Sequence, residues 1–181
     1  MARALDGPLH FANTYLLLAA LTLTATLGDT QRSAVWRGER RLVLLGSLTL
    51  VCLLVVGMSG AVTALGDTLF RPASLTAGIA QELAPASHPL VRMRLIHPLV
   101  AVLSSMITAY YALTLKERAP DSTRRRGAAT LWALLAAQLG AGAANVVLLA
   151  PLGLQVFHLM LSDLIWILVV ALSAGVLTAT E

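Results

Sequence analysis

Charge is scarce in this chain. Asp, Glu, Lys and Arg make up 12% of its 181 residues while hydrophobic residues reach 57%. Soluble domains carry about 25% charged and roughly 45–50% apolar residues, and the mean hydropathy here is +0.79. An ordinary water-soluble globule is therefore excluded. Cysteine is nearly absent as well: the single thiol, Cys52, can close no internal disulfide and reads as a small apolar packing residue. No zinc motif, P-loop, nucleophile elbow or dinucleotide glycine fingerprint occurs in a suitable context. Soluble-enzyme chemistry is not encoded. Carboxylates are equally thin inside the apolar stretches, where Asp163 is the one that lies well within a run.

Long apolar runs fill the chain instead. A bilayer span takes about 20 residues, and five such runs are legible: Leu9 to Leu27, Leu42 to Leu65, Pro89 to Leu115, Ala128 to Ala150 and Leu154 to Thr178. Their length and lack of alternation exclude a barrel, and a lipid-exposed backbone must satisfy its own hydrogen bonds, so the runs are helices. The expected class is all-α, a polytopic membrane protein of five transmembrane helices in one length-limited unit. The first eight residues lack the basic segment of a signal peptide, so the first run is expected to stay in the mature bundle.

Orientation follows from the basic residues. Arg32, Arg37, Arg40 and Arg41 lie in the loop after span 1, and Lys116, Arg118, Arg124, Arg125 and Arg126 lie in the loop after span 3. Only Arg3, Arg71, Arg92 and Arg94 fall on the other side. The bias puts those two loops in the cytoplasm, the N-terminus outside and the C-terminus inside. The net charge of +4 is then the topology signal itself and needs no nucleic-acid partner; the expected surroundings are the lipid bilayer.

Polar side chains within spans are functional candidates. His10, His97 and His158 each lie near the outer start of a span, at similar depth. A helical bundle can hold a heme between two facing helices, one axial imidazole from each. Pro98 beside His97 removes a helical hydrogen bond and bends the axis, which opens space for a flat macrocycle or serves packing alone. His10, Asn13 and Thr14 share one helical side. Arg94 sits one turn outward of His97; it and Arg92 are candidate contacts for heme propionates, against a plain interfacial role. His88 precedes Pro89 and is expected to cap span 3. Asp163 is expected to pair with Asn145 or Gln138 of span 4, and Ala136, Gly140 and Ala144 form a small-residue series suited to close helix approach.

Specific residues carry a resemblance. The stretch Gly57-Met-Ser-Gly-Ala-Val-Thr-Ala-Leu-Gly-Asp-Thr-Leu-Phe70, then Val91-Arg-Met-Arg-Leu-Ile-His-Pro98, then Asn145, Pro151 and Gln155-Val-Phe-His-Leu-Met-Leu-Ser-Asp-Leu164, together resemble the second half of bacterial heme A synthases. The resemblance implies an eight-helix protein of two four-helix halves that oxidises the C8 methyl of heme O to a formyl group in making heme A for cytochrome c oxidase. It implies a heme b cofactor held by His97 and His158 as axial iron ligands, and a substrate-heme ligand at His10, in Leu9-His-Phe-Ala-Asn-Thr-Tyr-Leu-Leu-Leu18. It also implies heme O as substrate, heme O synthase or a second copy as partner, and a bacterial inner-membrane location. The chain matches the last five of the eight helices, so residues 1–41 are expected to be an extra helix with its cytoplasmic loop and 42–181 the four-helix heme-binding bundle. A partial chain of this kind lacks the partner histidine for His10. A non-catalytic b-type heme subunit for electron transfer or heme handling is the other reading.

Overall fold

The computed structural model describes residues 2–28, 40–118 and 122–177. Five helices have the length and apolar character to cross a membrane: α1 (Ala2–Leu27), α2 (Arg40–Leu69), α4 (Pro89–Glu117), α5 (Ser122–Val147) and α6 (Leu152–Leu177). A sixth, α3 (Leu75–Leu83), is short and lies between α2 and α4. Its nine residues are too few to announce themselves as a span. Ser74 starts it, the side chain accepting from the backbone N–H of Ala77 at 3.2 Å, as an N-cap does. The spans run a little past their expected ends, because helical hydrogen bonding continues beyond the apolar run. In α1 the helix starts before Pro8 and passes through it, where the sequence suggests a start at Leu9.

Helices α2, α4, α5 and α6 close a ring, with neighbouring contacts α2 to α4, α4 to α5, α5 to α6 and α6 back to α2. In this up-and-down arrangement α4 and α6 stand on one diagonal and α2 and α5 on the other. Helix α1 lies outside the ring and packs on α2 and α6. Tyr15 anchors it there: its hydroxyl hydrogen-bonds the Ser162 hydroxyl at 2.6 Å, and the Trp166 indole N–H donates to the Tyr15 carbonyl at 2.8 Å. The Tyr15 and Trp166 rings stack with centroids 4.4 Å apart.

The bundle is apolar outside and partly polar inside, as lipid requires. Leu16, Leu44, Val51, Leu99 and Met106 are exposed, while Thr49, Ser104 and Thr108 are buried. Glycine sets the helix spacing on one seam. At Gly66 a Cβ would stand 2.7 Å from the carbonyl oxygen of Leu90, so α2 and α4 touch backbone to backbone. Gly66→Ala is expected to force the two helices apart and cost about 1–3 kcal/mol, read as a lower midpoint in detergent unfolding. The small series of α5 does not serve that purpose. Ala136 and Gly140 are exposed, and a Cβ on Gly140 would meet nothing within 4 Å; α5 approaches α6 closely at Gly127, beside Leu172, and at Gly142, beside His158, instead.

Candidate functional site

His97 and His158 come from the two diagonal helices α4 and α6. Both helices run inward from the end of the bundle that carries α3. His97 lies eight residues into α4 and His158 six into α6, roughly 12 and 9 Å deep at 1.5 Å per residue. Both imidazoles are half-buried. The kinking proline, Pro98, sits inside an unbroken α4.

Each imidazole has a glycine against it from the other diagonal. A Cβ on Gly60 of α2 would come within 3.1 Å of His97 Cε1, and one on Gly142 of α5 within 3.2 Å of His158 Cε1. Each also has a polar neighbour about one turn or less from that glycine. Ser59 Oγ hydrogen-bonds His97 Nδ1 at 2.9 Å, and Gln138 Nε2 faces His158 Nε2 at 3.3 Å. The unit of α2 with α4 is thus repeated by α5 with α6: a glycine, a polar side chain and a histidine. Ser59 on Nδ1 leaves Nε2 of His97 for a ligand, which is the way a second group fixes the orientation of a metal-binding imidazole. His158 Nδ1 is buried and has no hydrogen-bond partner among the described residues, and an unpaired buried polar atom calls for one.

The other predicted residues lie elsewhere. His10 is exposed on α1, the helix packed outside the ring; its carbonyl accepts from Thr14 Oγ1 at 3.0 Å. His88 is the N-cap of α4, accepting from Leu90 N–H at 3.2 Å and stacking on Phe70. Arg92 is exposed and donates to the Pro85 carbonyl at 2.7 Å. Arg94 is turned onto the end of α2, where Nε meets Asp67 Oδ1 at 2.6 Å, Nη2 meets the carbonyls of Gly66 and Phe70 at 3.1 and 2.7 Å, and Nη1 meets Gln81 Oε1 at 3.2 Å. On α3, burial pushes the Glu82 carboxyl above its ordinary range; Arg94 pulls it back and Asp67 pushes it further up.

Asp163 does not make the expected pair with span 4. Gln138 is directed to His158 instead, and Asn145 Oδ1 is buried without a partner among the described residues. Five residues of helix turn Asp163 about 140° from His158; its neighbour Ser162 is the residue that meets Tyr15 of α1. Arg32 and Arg37 lie outside the described residues. Ser59, Gly60, Gly142 and Asp67 belong to the site without standing out in the sequence. Ser59 and Gly60 lie inside the Gly57 to Phe70 stretch, where their value shows only once α2 is docked on α4. Asp67 follows the apolar part of span 2 and so reads as loop.

Among the described residues no group of three or more His, Cys, Asp or Glu side chains is placed to hold a bare metal ion. Two curated relatives, from two strains of Thermus thermophilus and both named protoheme IX farnesyltransferase, are 42% identical over 175 residues, which is 97% of this chain and 29% of each of theirs. The chain thus spans under a third of the length of those relatives. No solved structure matches it. The family model described as cytochrome oxidase assembly protein, COX15-CtaA, matches residues 7–170, nearly the whole chain. The chain therefore belongs to the cytochrome oxidase assembly family to which its resemblance to heme A synthases pointed.

Proposed function

We propose that the chain is the heme-binding portion of a heme A synthase-type protein, holding a heme b through His97 and His158 and serving the oxidation of the C8 methyl of heme O. The observation that carries this reading is the imidazole pair on diagonal helices, each flanked by a glycine and a polar side chain. The residues fit the group. Two imidazoles are the axial set of a b-type heme, the buried Nδ1 of His158 is open to a bridging partner, and Gly60 and Gly142 leave free the space a Cβ would fill against each ring.

When bound, the heme supplies one-electron transfer, and the protein supplies ligand identity, orientation and dryness. Ser59 orients His97 and fixes its tautomer. Gln138 faces the other nitrogen, Nε2, of His158, so it would hold that ring with Nδ1 left open. The apolar outer belt of the helices keeps the slot in lipid. The basic bias described above sets the orientation in a bacterial inner membrane, with the α3 end outside.

His10 favours a second reading of the isolated chain. It is exposed on α1, outside the ring, and so is placed for a heme O held jointly with a second protein surface. On that reading the chain alone binds heme b and transfers electrons without turnover.

The test is purification of the full chain with added protoheme, followed by incubation with heme O and a reductant in air. Bound heme with two imidazole ligands supports the heme b assignment, and conversion of heme O to heme A assigns catalysis to this chain. Bound heme without conversion selects the electron-transfer reading. A preparation that binds no heme under these conditions refutes both.

A further inference from the structure

At the α3 end of the bundle a cleft of about 210 Å³ opens between the end of α2 and the turn from α5 to α6, lined by Asp67, Thr68, Arg71, Leu149, Ala150, Leu152 and Gln155. Most of its polar groups are already engaged. Asp67 is paired with Arg94, Thr68 Oγ1 donates to the Ala64 carbonyl at 2.9 Å, and Gln155 Nε2 donates to the Ala150 carbonyl at 2.6 Å. Arg71 differs. It is exposed, and among the described residues its guanidinium meets no hydrogen-bond or ion-pair partner.

The rest of the cleft favours an anion. Arg94 neutralises the one carboxylate, so the charge left over is that of Arg71. Helix α6 begins in the cleft at Leu152 after Ala150 and Pro151, without a Ser, Thr, Asp or Asn side chain to cap its first N–H groups. Those groups and the positive end of the helix dipole add to the same field. The turn that presents them is unusual, since Leu149 and Ala150 both have positive φ, 58° and 51°, and side-chain-bearing residues adopt that region at a cost.

The cleft is also in register with the histidine pair. Gln155 lies three residues before His158 on α6, one turn outward on the same face. Asp67 lies seven residues after Gly60 on α2, about 10 Å outward along the helix. The cleft therefore lies outward of the imidazole pair, toward the bundle end that carries α3.

We propose that this cleft is a carboxylate-binding subsite, and that Arg71, rather than Arg94, is the cation that receives a propionate of the heme held by His97 and His158. The inference rests on the heme reading above. Guanidinium and carboxylate match as a forked pair of charge-assisted hydrogen bonds, and Arg71 keeps all its donors for it. Arg94 has spent its donors on the end of α2.

The test is a chemical double-mutant cycle on the full chain in neutral-lipid nanodiscs, titrated with protoheme and with its dimethyl ester. In the wild type, esterification is expected to weaken binding roughly tenfold. In Arg71→Gln, protoheme is expected to bind as weakly as the ester, with the two-imidazole spectrum unchanged, and Arg71→Lys is expected to recover part of the loss. If Arg71→Gln leaves protoheme affinity at the wild-type value, or weakens protoheme and ester alike, the subsite is overturned. A variant that binds both hemes normally but loses a preference for nanodiscs with anionic lipid reassigns Arg71 to a phosphate headgroup and overturns the proposal. A wild type that binds the ester and protoheme equally overturns the subsite and leaves the imidazole ligands standing; a wild type that binds neither overturns the heme reading beneath it.

Discussion

Alanine at His97 or at His158 is expected to reduce the bound heme of the purified chain to background and to erase the two-imidazole spectrum. The expectation is symmetrical because the site is. Each histidine stands on its own helix of one diagonal and is backed by its own glycine on the other, Gly60 for His97 and Gly142 for His158. Neither half holds a further ligand that could take over, since Ser59 and Gln138 are weak donors to iron. Heme content by the pyridine hemochromogen assay and the reduced-minus-oxidised spectrum measure the outcome. A variant that keeps the wild-type spectrum at both positions would place the heme elsewhere.

Two milder substitutions separate ligation from support. Ser59→Ala removes the hydrogen bond to His97 Nδ1 and leaves the imidazole in place. Losing such a partner typically costs about 10–100-fold in affinity, so heme binding should weaken while the spectrum keeps its two-imidazole form. Gly142→Val replaces neither histidine but fills the space beside His158, where even a Cβ would stand 3.2 Å from the ring. It should lower heme occupancy strongly without changing the stability of the heme-free protein by more than the ordinary cost of overpacking, about 1–3 kcal/mol.

Much of the fold is legible because lipid is an unforgiving solvent. Runs such as Leu42 to Leu65 carry no charge and can be nothing but buried or lipid-facing helix, and the turn at Pro89 announces the start of α4. The histidine pair is legible for the same reason: imidazoles at matched depth in separate spans are conspicuous in a chain with so few polar residues. What is not legible depends on which face of a helix meets which neighbour. The four-residue spacing of Ala136, Gly140 and Ala144 is a sound pattern for close approach, yet Ala136 and Gly140 are exposed. Gly142, two residues from Gly140, is the one pressed against an imidazole. The expected pairing of Asp163 is not made, because a rotation of about 140° separates it from His158, and Gln138 is directed to His158. The spacing of Arg94 to His97 suggests a shared ligand. Its actual partner Asp67 lies 27 residues earlier in the chain, and a local pattern carries no trace of it.

Arg94→Ala is expected to destabilise the fold by about 3 kcal/mol, measured as the shift in midpoint on titration with denaturing detergent. One guanidinium holds the Asp67 carboxylate, the Gln81 amide and the carbonyls of Gly66 and Phe70 where α2 ends; the Gly66 carbonyl also accepts from the Phe70 N–H at 2.9 Å. The Arg94 side chain is 8% exposed and that of Asp67 23%. Removing the arginine therefore leaves a mostly buried carboxylate unpaired, which costs more than the pair contributes; the partial exposure of Asp67 holds the loss to the lower end of that range. Asp67→Asn should cost less, about 1 kcal/mol, since it removes the charge and keeps an acceptor, and adding it to Arg94→Ala should recover part of the loss, because no unpaired carboxylate then remains. Arg94→Lys should fall between, since a single ammonium cannot span four acceptors in a fork. The same variant decides what Arg94 does for heme. The clamp closes the α2 to α4 seam that carries Ser59, Gly60 and His97, so Arg94→Ala should weaken protoheme and its dimethyl ester by the same factor. A loss confined to protoheme would instead put a propionate on Arg94, and would require the Asp67 pair to open when heme binds.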